Sequence, residues 1–516
     1  MSLLFPLFPD TQALATFFVE RQGGDAGSLA DISRQVTRVA QRLAEAGVGV
    51  GDTVLFHAGQ REEALVLFWA AMARGAIFAP LDETWPDYLV ERAAGGLSPR
   101  LVACDATRCS LYQRLFPAAD RVAFPSADQE APTADAPDRS DWSDWIGGDA
   151  FDAPPLAIVP PSAPAAYLFT SGSTGTPKAV VLSRGALAHG ARLTLETFEW
   201  APGERLVNLP EPHTMSGLRN GLVASVLGGL RWIPFGAARR PNLFALLEAL
   251  EDAKAERLVI GPALVRQLAV LGDRVDPQIL ASTKAIYCTG AMLSPIAADQ
   301  FHAHFGVPIV NYYGLTETGG ICVSQRLAGW RAGDRSIGTA AGAELRVAPE
   351  QGEPAPLGLG ELQVRSPQLM SGYRDDPQRT AGRFDDGWLR TGDLARIDAD
   401  GRVYLVGRSE GFIKTASTDR VAPEEVEMLL EEHPAVAEAA VLGVKTAQDY
   451  ERIVALVVLR DPQGGHVAET ELADFVGSRL GTARTPSQIC FVPRLPRRDT
   501  GKIIRSELQE MLDEYV

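Results

Sequence analysis

Residues 167–182 read Tyr-Leu-Phe-Thr-Ser-Gly-Ser-Thr-Gly-Thr-Pro-Lys-Ala-Val-Val-Leu, a loop of hydroxyls and glycines between two apolar runs that read as strands. Gly172 and Gly175 permit a tight turn with exposed N–H groups. Ser171, Ser173 and Thr174 add hydroxyl donors beside Thr170, and Lys178 adds a positive charge. Such a loop is a phosphate cradle, and the expected ligand is a nucleoside triphosphate. The spacing departs from GxxxxGK[ST], because Pro177 precedes Lys178, Ala179 follows it, and a strand rather than a helix comes next. Kinase and GTPase readings lose ground. A loose Ser/Gly-rich run is ordinarily a surface loop, but nine consecutive residues, Thr170 to Lys178, are far from filler.

Four further blocks stand in the chain: Tyr313-Gly314-Leu315-Thr316-Glu317-Thr318, Thr391-Gly392-Asp393, Gly407-Arg408-Ser409-Glu410 and Asp499-Thr500-Gly501-Lys502. With the loop they resemble, in order and separation, the adenylate-forming superfamily of acyl-CoA synthetases, peptide-synthetase adenylation domains and luciferases. The resemblance covers the chain from about Ser28 to Leu508. It is specific for the superfamily and weak for the substrate. It implies that residues 170–178 bind the phosphates of ATP and that Tyr313 stacks on adenine, with backbone near Asn311 and Tyr312 reading the base edge. It further implies that Asp393 accepts from both ribose hydroxyls, with Arg408 in support. Glu410 would be a hinge and Lys502 a catalytic lysine.

ATP has to be held by a local basic site, because the chain as a whole is acidic: 49 basic against 65 acidic residues give a formal charge of −16. Attraction to nucleic acid or to an anionic membrane is not expected. With 46% hydrophobic and 22% charged residues the composition is that of a globular protein, and 516 residues suggest about three domain-sized units. Cysteines at 104, 109, 288, 322 and 490 form no CxxC pair and no zinc spacing. So sparse and odd a set suggests a reducing cytoplasm. The segment Met1 to Pro9 lacks a basic residue and is broken by Pro6 and Pro9, so it is a poor signal peptide. Apolar runs near 65–81 and 222–235 are interrupted by Arg74 and Arg231, and neither reads as a membrane span.

Along the chain, Val36, Val39, Ala40 and Leu43 recur at helical spacing within residues 30–46, ahead of a strand at 53–57, a helix at 62–74 and a strand at 76–80. That alternation predicts a sheet covered by helices. Residues 125–164, rich in Ala, Asp, Pro and Ser, read as a surface connection that Trp142 and Trp145 pin to the body. A second alternating region predicts strands at 258–261, 285–288 and 308–311 between helices at 243–253 and 295–305. Strands at 361–366 and 402–406 follow. After Glu410 the pattern resets: Pro423 opens an acidic helix at 424–432, then come strands at 437–444 and 452–459 and helices at 469–479 and 503–511. We therefore expect an α/β fold with a large N-terminal body, 1–409, of helix-covered sheets plus a β-rich segment. A small mobile α/β lid, 410–516, completes it.

Glu317 sits in a glycine-bounded turn after a strand, where a carboxylate can take a hard cation such as Mg²⁺ with help from the Thr316 hydroxyl. By themselves these residues would be a surface turn, and Asp393 would be a turn or cap residue. Lys502 would be a solvated basic turn. Its functional reading answers a physical need, since a carboxylate must approach the anionic α-phosphate while charge accumulates. In the family the lysine has that role.

For the acid, His213 in the segment Leu209 to Leu218 falls where acyl- and aryl-CoA synthetases commonly carry a histidine near the carboxylate. Amino-acid-activating domains usually have a Phe-Asp pair here, and this chain has none, so an α-amino acid is disfavoured. Gly290 and Ala291 resemble the family's pocket wall, and Gly314 joins them in the implied acid pocket. Arg219 could meet a second substrate carboxylate, but the expectation is a solvated or salt-bridged arginine. After Lys414 the family normally has a glycine lining the thiol tunnel, whereas Thr415 to Arg420 contains none. Thioester formation is thus less secured by the sequence than adenylation. The expected activity is ATP-dependent formation of acyl-AMP and pyrophosphate, then transfer to the thiol of CoA or of a carrier-protein phosphopantetheine. Three alternatives remain open: an acyl-AMP ligase serving only a carrier protein, an enzyme that cyclises its adenylate, and a nucleotide-binding regulator without catalysis.

Overall fold

A computed structural model describes residues 17–20, 26–124, 140–147, 154–170, 177–236, 242–349, 352–408, 413–415, 420–446, 450–461, 467–496 and 503–515. Ser171, Gly172, Ser173, Thr174 and Gly175, as well as Glu410 and Lys502, lie outside the described residues.

In the first sheet Thr53–His57 lies between Ile77–Pro80 and Pro99–Asp105, all parallel, and Asp120–Phe124 extends the series. The phosphate-loop strands are an antiparallel hairpin, Pro164–Thr170 against Lys178–Ser183, joined in parallel to Ile77–Pro80. In the second sheet Arg231–Ile233, Arg205–Asn208, Arg257–Ile260, Ala285–Cys288 and Ile309–Leu315 run parallel, and Gly320–Ser324 returns antiparallel. Because side chains of a parallel sheet are buried on both faces, the middles of these short strands are apolar, and their polar residues stand mostly at the ends.

Helices fill the space between the sheets. Leu29–Glu45 starts at a capping box, in which Ser28 Oγ accepts from the Asp31 N–H at 3.2 Å and the Asp31 carboxylate accepts from the Ser28 N–H at 2.9 Å. Its buried stripe is Ile32, Val36, Val39, Ala40 and Leu43. Helix Glu62–Arg74 is buried from Ala64 through Ala73, the all-round apolar character of a helix flanked on every side. Trp69 Nε1 donates to the Leu222 carbonyl at 2.9 Å, tying this helix to a segment whose form the sequence did not suggest. Residues Gly217–Ala224 wind as a π-helix, every one of them buried. Wide turns of that kind recur at functional sites.

A third sheet, Glu344–Ala348, Gly358–Arg365, Trp388–Ile397 and Val403–Arg408, is antiparallel. Beyond it, Pro423–Glu431 has proline in its first turn, as expected. It packs with Val436–Lys445, Glu451–Leu459, Gln488–Phe491 and Glu469–Leu480 around a core drawn only from residues 413–491. The last helix is Arg505–Tyr515 rather than 503–511. The Ile504 N–H donates to the Pro496 carbonyl at 2.9 Å, which holds the chain out of helix until Arg505. Trp142 and Trp145 are buried as expected, Trp142 5.2 Å from the Phe124 ring. Among the described residues no helix is long and apolar enough to cross a membrane.

Candidate active site

Parallel strands send their following loops off one edge, and ligands of open α/β sheets bind beyond that edge. Here the loop bearing His213 follows Arg205–Asn208, and Gly290 and Ala291 follow Ala285–Cys288. Thr316 and Glu317 follow Ile309–Leu315, so all three segments leave the second sheet at the same edge. On the first sheet, Asp82 follows Ile77–Pro80 and the phosphate loop follows Pro164–Thr170. His213 Nε2 lies 3.5 Å from the Asp82 carboxylate, joining the two edges. This contact of Asp82 is one that its neighbourhood in sequence does not announce.

Lys178 pairs in register with half-buried Thr170 across the hairpin, and its ammonium is 5.8 Å from the Tyr373 ring centre. Its pKa is lowered by desolvation and then by the charges of Arg379 and Arg383. Arg379 is paired with Asp376 at 3.1 Å, and the positive charge left around Lys178 makes a site that suits a polyanion. Tyr373, Arg379 and Arg383 were absent from the sequence reading, although the density of arginine in Tyr373-Arg374-Asp375-Asp376-Pro377-Gln378-Arg379-Thr380-Ala381-Gly382-Arg383 was a usable signal.

Glu317 is 8% exposed, and its Oε1 accepts from the Tyr373 hydroxyl at 2.8 Å. Burial first, then the Glu317 charge, pushes Tyr373 up to about 12, so it remains a donor at neutral pH. Arg383 Nε donates to the same hydroxyl at 3.3 Å, linking the carboxylate to the basic cluster. Thr316 is half-buried beside it. Among the described residues no group of three His, Cys, Asp or Glu could hold a metal. The Glu317 carboxylate beside these cations fits the manner in which Mg²⁺ is commonly held, by one or two carboxylates plus substrate phosphates.

Asp393 and Arg408 are cross-strand neighbours, and Arg408 Nη1 donates to Asp393 Oδ1 at 2.8 Å. The Tyr313 hydroxyl donates to Oδ2 at 2.5 Å. Burial and this carboxylate hold the Tyr313 phenol well above its ordinary value. Tyr313 is only 9% exposed, in a core cluster with Cys322, Val323, Leu362 and Val364, so the residues expected at adenine and ribose are joined to each other. The Asn311 N–H donates to the Gln325 side chain and its carbonyl accepts from the Gln325 N–H, each at 2.9 Å. The Tyr312 hydroxyl instead meets Ser216 Oγ at 2.8 Å, facing the π-helix. Gly314 is a packing necessity: an added Cβ would fall 1.8 Å from the Gly320 carbonyl. Gly290 adopts φ +99°, a conformation that favours glycine.

Behind the Asp82 loop, His57 Nε2 meets the Asp82 carbonyl at 2.9 Å and its Nδ1 meets the Tyr112 hydroxyl at 2.6 Å. A carbonyl only accepts, so Nε2 carries the proton and Nδ1 accepts from tyrosine. Burial, then the Arg108 charge, lowers His57 to about 4. Between that value and the ordinary one the unfolded chain binds more protons, so the stabilisation is complete above about pH 6.5 and is lost as pH falls towards 4. We expect the acid loss of the urea midpoint between those limits to flatten in His57→Gln. The linkage is worth on the order of 3 kcal/mol, and an unchanged slope would contradict the neutral buried form.

Arg219 corrects the sequence expectation. It is 1% exposed rather than solvated, and no acidic residue pairs with it among the described residues.

The family described as AMP-binding enzyme matches residues 7–374, and its C-terminal domain matches residues 425–502. The chain is 30% identical to a sulfoacetate–CoA ligase of Cupriavidus necator over 95% of this chain and 94% of that protein. It is 29% identical to an indoleacetate–CoA ligase of Aromatoleum aromaticum, over 94% and 93%. Among solved structures, ATP-bound MatB from Rhodopseudomonas palustris superposes with a TM-score of 0.88 at 25% identity, covering 100% of this chain and 99% of that one. With its helix-covered sheets, C-terminal unit and phosphate hairpin, the chain belongs to the AMP-binding, adenylate-forming enzyme family, as an ATP-dependent, AMP-forming acid–thiol ligase of the acyl-CoA synthetase type.

Proposed function

We propose that the site activates a small non-amino carboxylic acid, with the roles divided among the residues that meet at the two sheet edges. The observation carrying this reading is the hydrogen-bonded chain Arg383, Tyr373 and Glu317 with the Lys178 ammonium 5.8 Å from the Tyr373 ring centre, which offers cations for phosphate and a carboxylate for Mg²⁺ in one cluster. Bound Mg²⁺ would neutralise phosphate charge as pyrophosphate departs. Lys178, Arg379 and Arg383 hold the departing β- and γ-phosphates with residues 170–175, and Tyr373 fixes the Glu317 carboxylate. Asp393 and Arg408 hold the ribose, and Tyr313 orients Asp393. His213, set by Asp82, holds the acid beside Gly290, Ala291 and Gly314 so that its oxygen approaches the α-phosphorus in line. Lys502 supplies the positive charge that bridges acid and phosphate.

The lid boundary at residues 409 and 410 belongs to this reading, supported by the separate core of residues 413–491. For the second step the acceptor is the thiol of CoA. A carrier-protein phosphopantetheine is the second reading. A fatty acid–[acyl-carrier-protein] ligase of Streptomyces coeruleorubidus, 27% identical over 93% of this chain and 90% of that protein, is also among the relatives. No role for nucleic acid enters the proposal, and cytoplasmic placement follows the sparse cysteines.

ATP–pyrophosphate exchange over a panel of aryl, aliphatic and dicarboxylic acids tests the first step, and thiol capture with CoA and carrier proteins tests the second. In the same assay Glu317→Gln should weaken the apparent Mg²⁺ affinity about tenfold or more at fixed ATP, because a hard cation loses a full negative ligand charge. An unchanged titration would make Glu317 a turn residue held by Tyr373 for structural reasons.

A further inference from the structure

A reaction between two bound molecules depends on how well each is placed against the other, and a displacement of about 1 Å can cost on the order of a hundredfold in rate. Residues 82–85 stand between the two parties. They follow strand Ile77–Pro80 at the edge of the first sheet. On one side Asp82 Oδ2 is 3.5 Å from His213 Nε2. On the other the Trp85 ring meets the Phe169 ring edge-on, with centres 6.3 Å apart. Phe169 directly precedes Thr170, where the phosphate loop begins.

Connecting loops are ordinarily the mobile parts of a fold, but this one is held at one polar group after another. The Asp82 carbonyl accepts from His57 Nε2 at 2.9 Å and from the Trp85 N–H at 3.1 Å. Asp82 Oδ1 accepts from the Thr84 N–H at 3.0 Å and from Thr84 Oγ1 at 2.7 Å, while Oδ2 faces His213. Arg108, just ahead of helix Cys109–Leu115, spans the rest of the loop. Its Nη2 donates to the Glu83 carbonyl at 3.2 Å and to the Trp85 carbonyl at 3.1 Å, and its Nη1 donates to the Asp87 carboxylate at 2.8 Å. A planar guanidinium carries its donors at fixed angles, which suits it to fix several acceptors relative to one another. The Tyr112 hydroxyl, 2.6 Å from His57 Nδ1, braces the other anchor, so residues 108–112 support the loop from both Arg108 and Tyr112.

We propose that residues 82–85 are a spacer that sets the placement of the acid against the ATP phosphates, and that Arg108 is the positioning residue that holds this spacer. This rests on the ligase reading above, in which His213 meets the acid and residues 170–178 meet the phosphates. Arg108 touches neither substrate in that reading. It acts by keeping Asp82 and Trp85 in a fixed relation, so its loss misaligns two bound reactants more than it weakens the binding of either.

Pyrophosphate-exchange kinetics of three variants test this, with the acid that the parent exchanges best and at a temperature well below each thermal midpoint. Arg108→Met keeps the length of the side chain without its donors. It should lower kcat about twentyfold or more, with KM for ATP and KM for the acid each within about threefold of the parent. Asp87→Asn removes the charge paired with Arg108, on a side chain that is 59% exposed, and leaves the two carbonyl bonds in place. Its kcat should stay within about threefold. Trp85→Leu leaves Arg108 intact and withdraws the ring from Phe169, so it should repeat the loss of kcat at constant KM, by about fivefold or more, even if Arg108→Met fails to fold. A merely structural arginine would lower the thermal midpoint while kcat per folded molecule stayed the same. That result, a rise of both KM values with kcat unchanged, or equal losses in Arg108→Met and Asp87→Asn would overturn the proposal, as would an unaltered kcat in Trp85→Leu. A parent that exchanges with no acid would overturn the ligase reading and this proposal together, whereas an active parent with unaltered variants would overturn the proposal alone.

Discussion

Lys502→Ala should slow adenylation at least about a hundredfold, the equivalent of about 2.7 kcal/mol of transition-state stabilisation. Two anions meet when the acid attacks the α-phosphate. In the proposed arrangement the body supplies cations to the leaving pyrophosphate through Lys178, Arg379 and Arg383, whose charges meet at Lys178. Lys178 and Arg383 lie against Tyr373, which holds Glu317, and none of the three cations bridges acid and α-phosphate in the proposed arrangement. The missing charge must come from another segment, and Lys502 is the residue that the family resemblance assigns. Transfer from supplied acyl-AMP to the thiol should suffer much less, because in the proposed cycle the lysine has left by then. Single-turnover measurement of each half-reaction checks the split. Equal losses in both would remove Lys502 from its proposed role.

Glu410→Pro should keep pyrophosphate exchange within about tenfold and reduce overall thioester formation by a larger factor. Proline fixes φ near −65°, and a hinge has to absorb a large backbone rotation. Strand Val403–Arg408 leads to this position, and the helix Pro423–Glu431 begins against the strand's end. A Cβ on Gly407 would lie 2.8 Å from Ala422 Cβ and 3.1 Å from Glu424 Oε2. Farther out, Arg266 Nη1 is 3.3 Å from the carboxylate of Glu431, whose side chain is 9% exposed. A rotation about residue 410 would have to exchange these contacts for others, so a variant unable to rotate stays in one arrangement. Equal effects on both half-reactions, or a parent that makes no thioester with any thiol, would favour the ligases that deliver their adenylate by another route.

Much of the architecture was legible because it follows from short-range patterns. The helices Glu62–Arg74, Leu243–Ala253 and Pro295–Phe305 and the strands Thr53–His57 and Ala285–Cys288 have the bounds expected from their apolar runs and flanking turns. Caps fix the rest locally: Ser28 with Asp31, and proline in the first turn of Pro423–Glu431. The π-helix Gly217–Ala224 escaped notice because its i→i+5 winding leaves no periodicity of its own in eight residues. The last helix was misplaced by two residues at its start, since its entry depends on a hydrogen bond to Pro496 rather than on a local cap.

The sequence by itself determined the phosphate hairpin, the order of the superfamily blocks and the division into sheets covered by helices, because each depends on neighbours within a turn or a strand. Only the tertiary structure decided what those residues face. Asp82 reaches His213, Tyr373 holds Glu317, and Tyr313 and Arg408 share Asp393. It also placed Arg219 in the interior with its Nη1 unpaired. The reason is physical: desolvation and the pairing of charges are set by contacts between segments far apart in the chain, brought together at the edges of two packed sheets. An arginine reads the same in a sequence whether water or protein surrounds it.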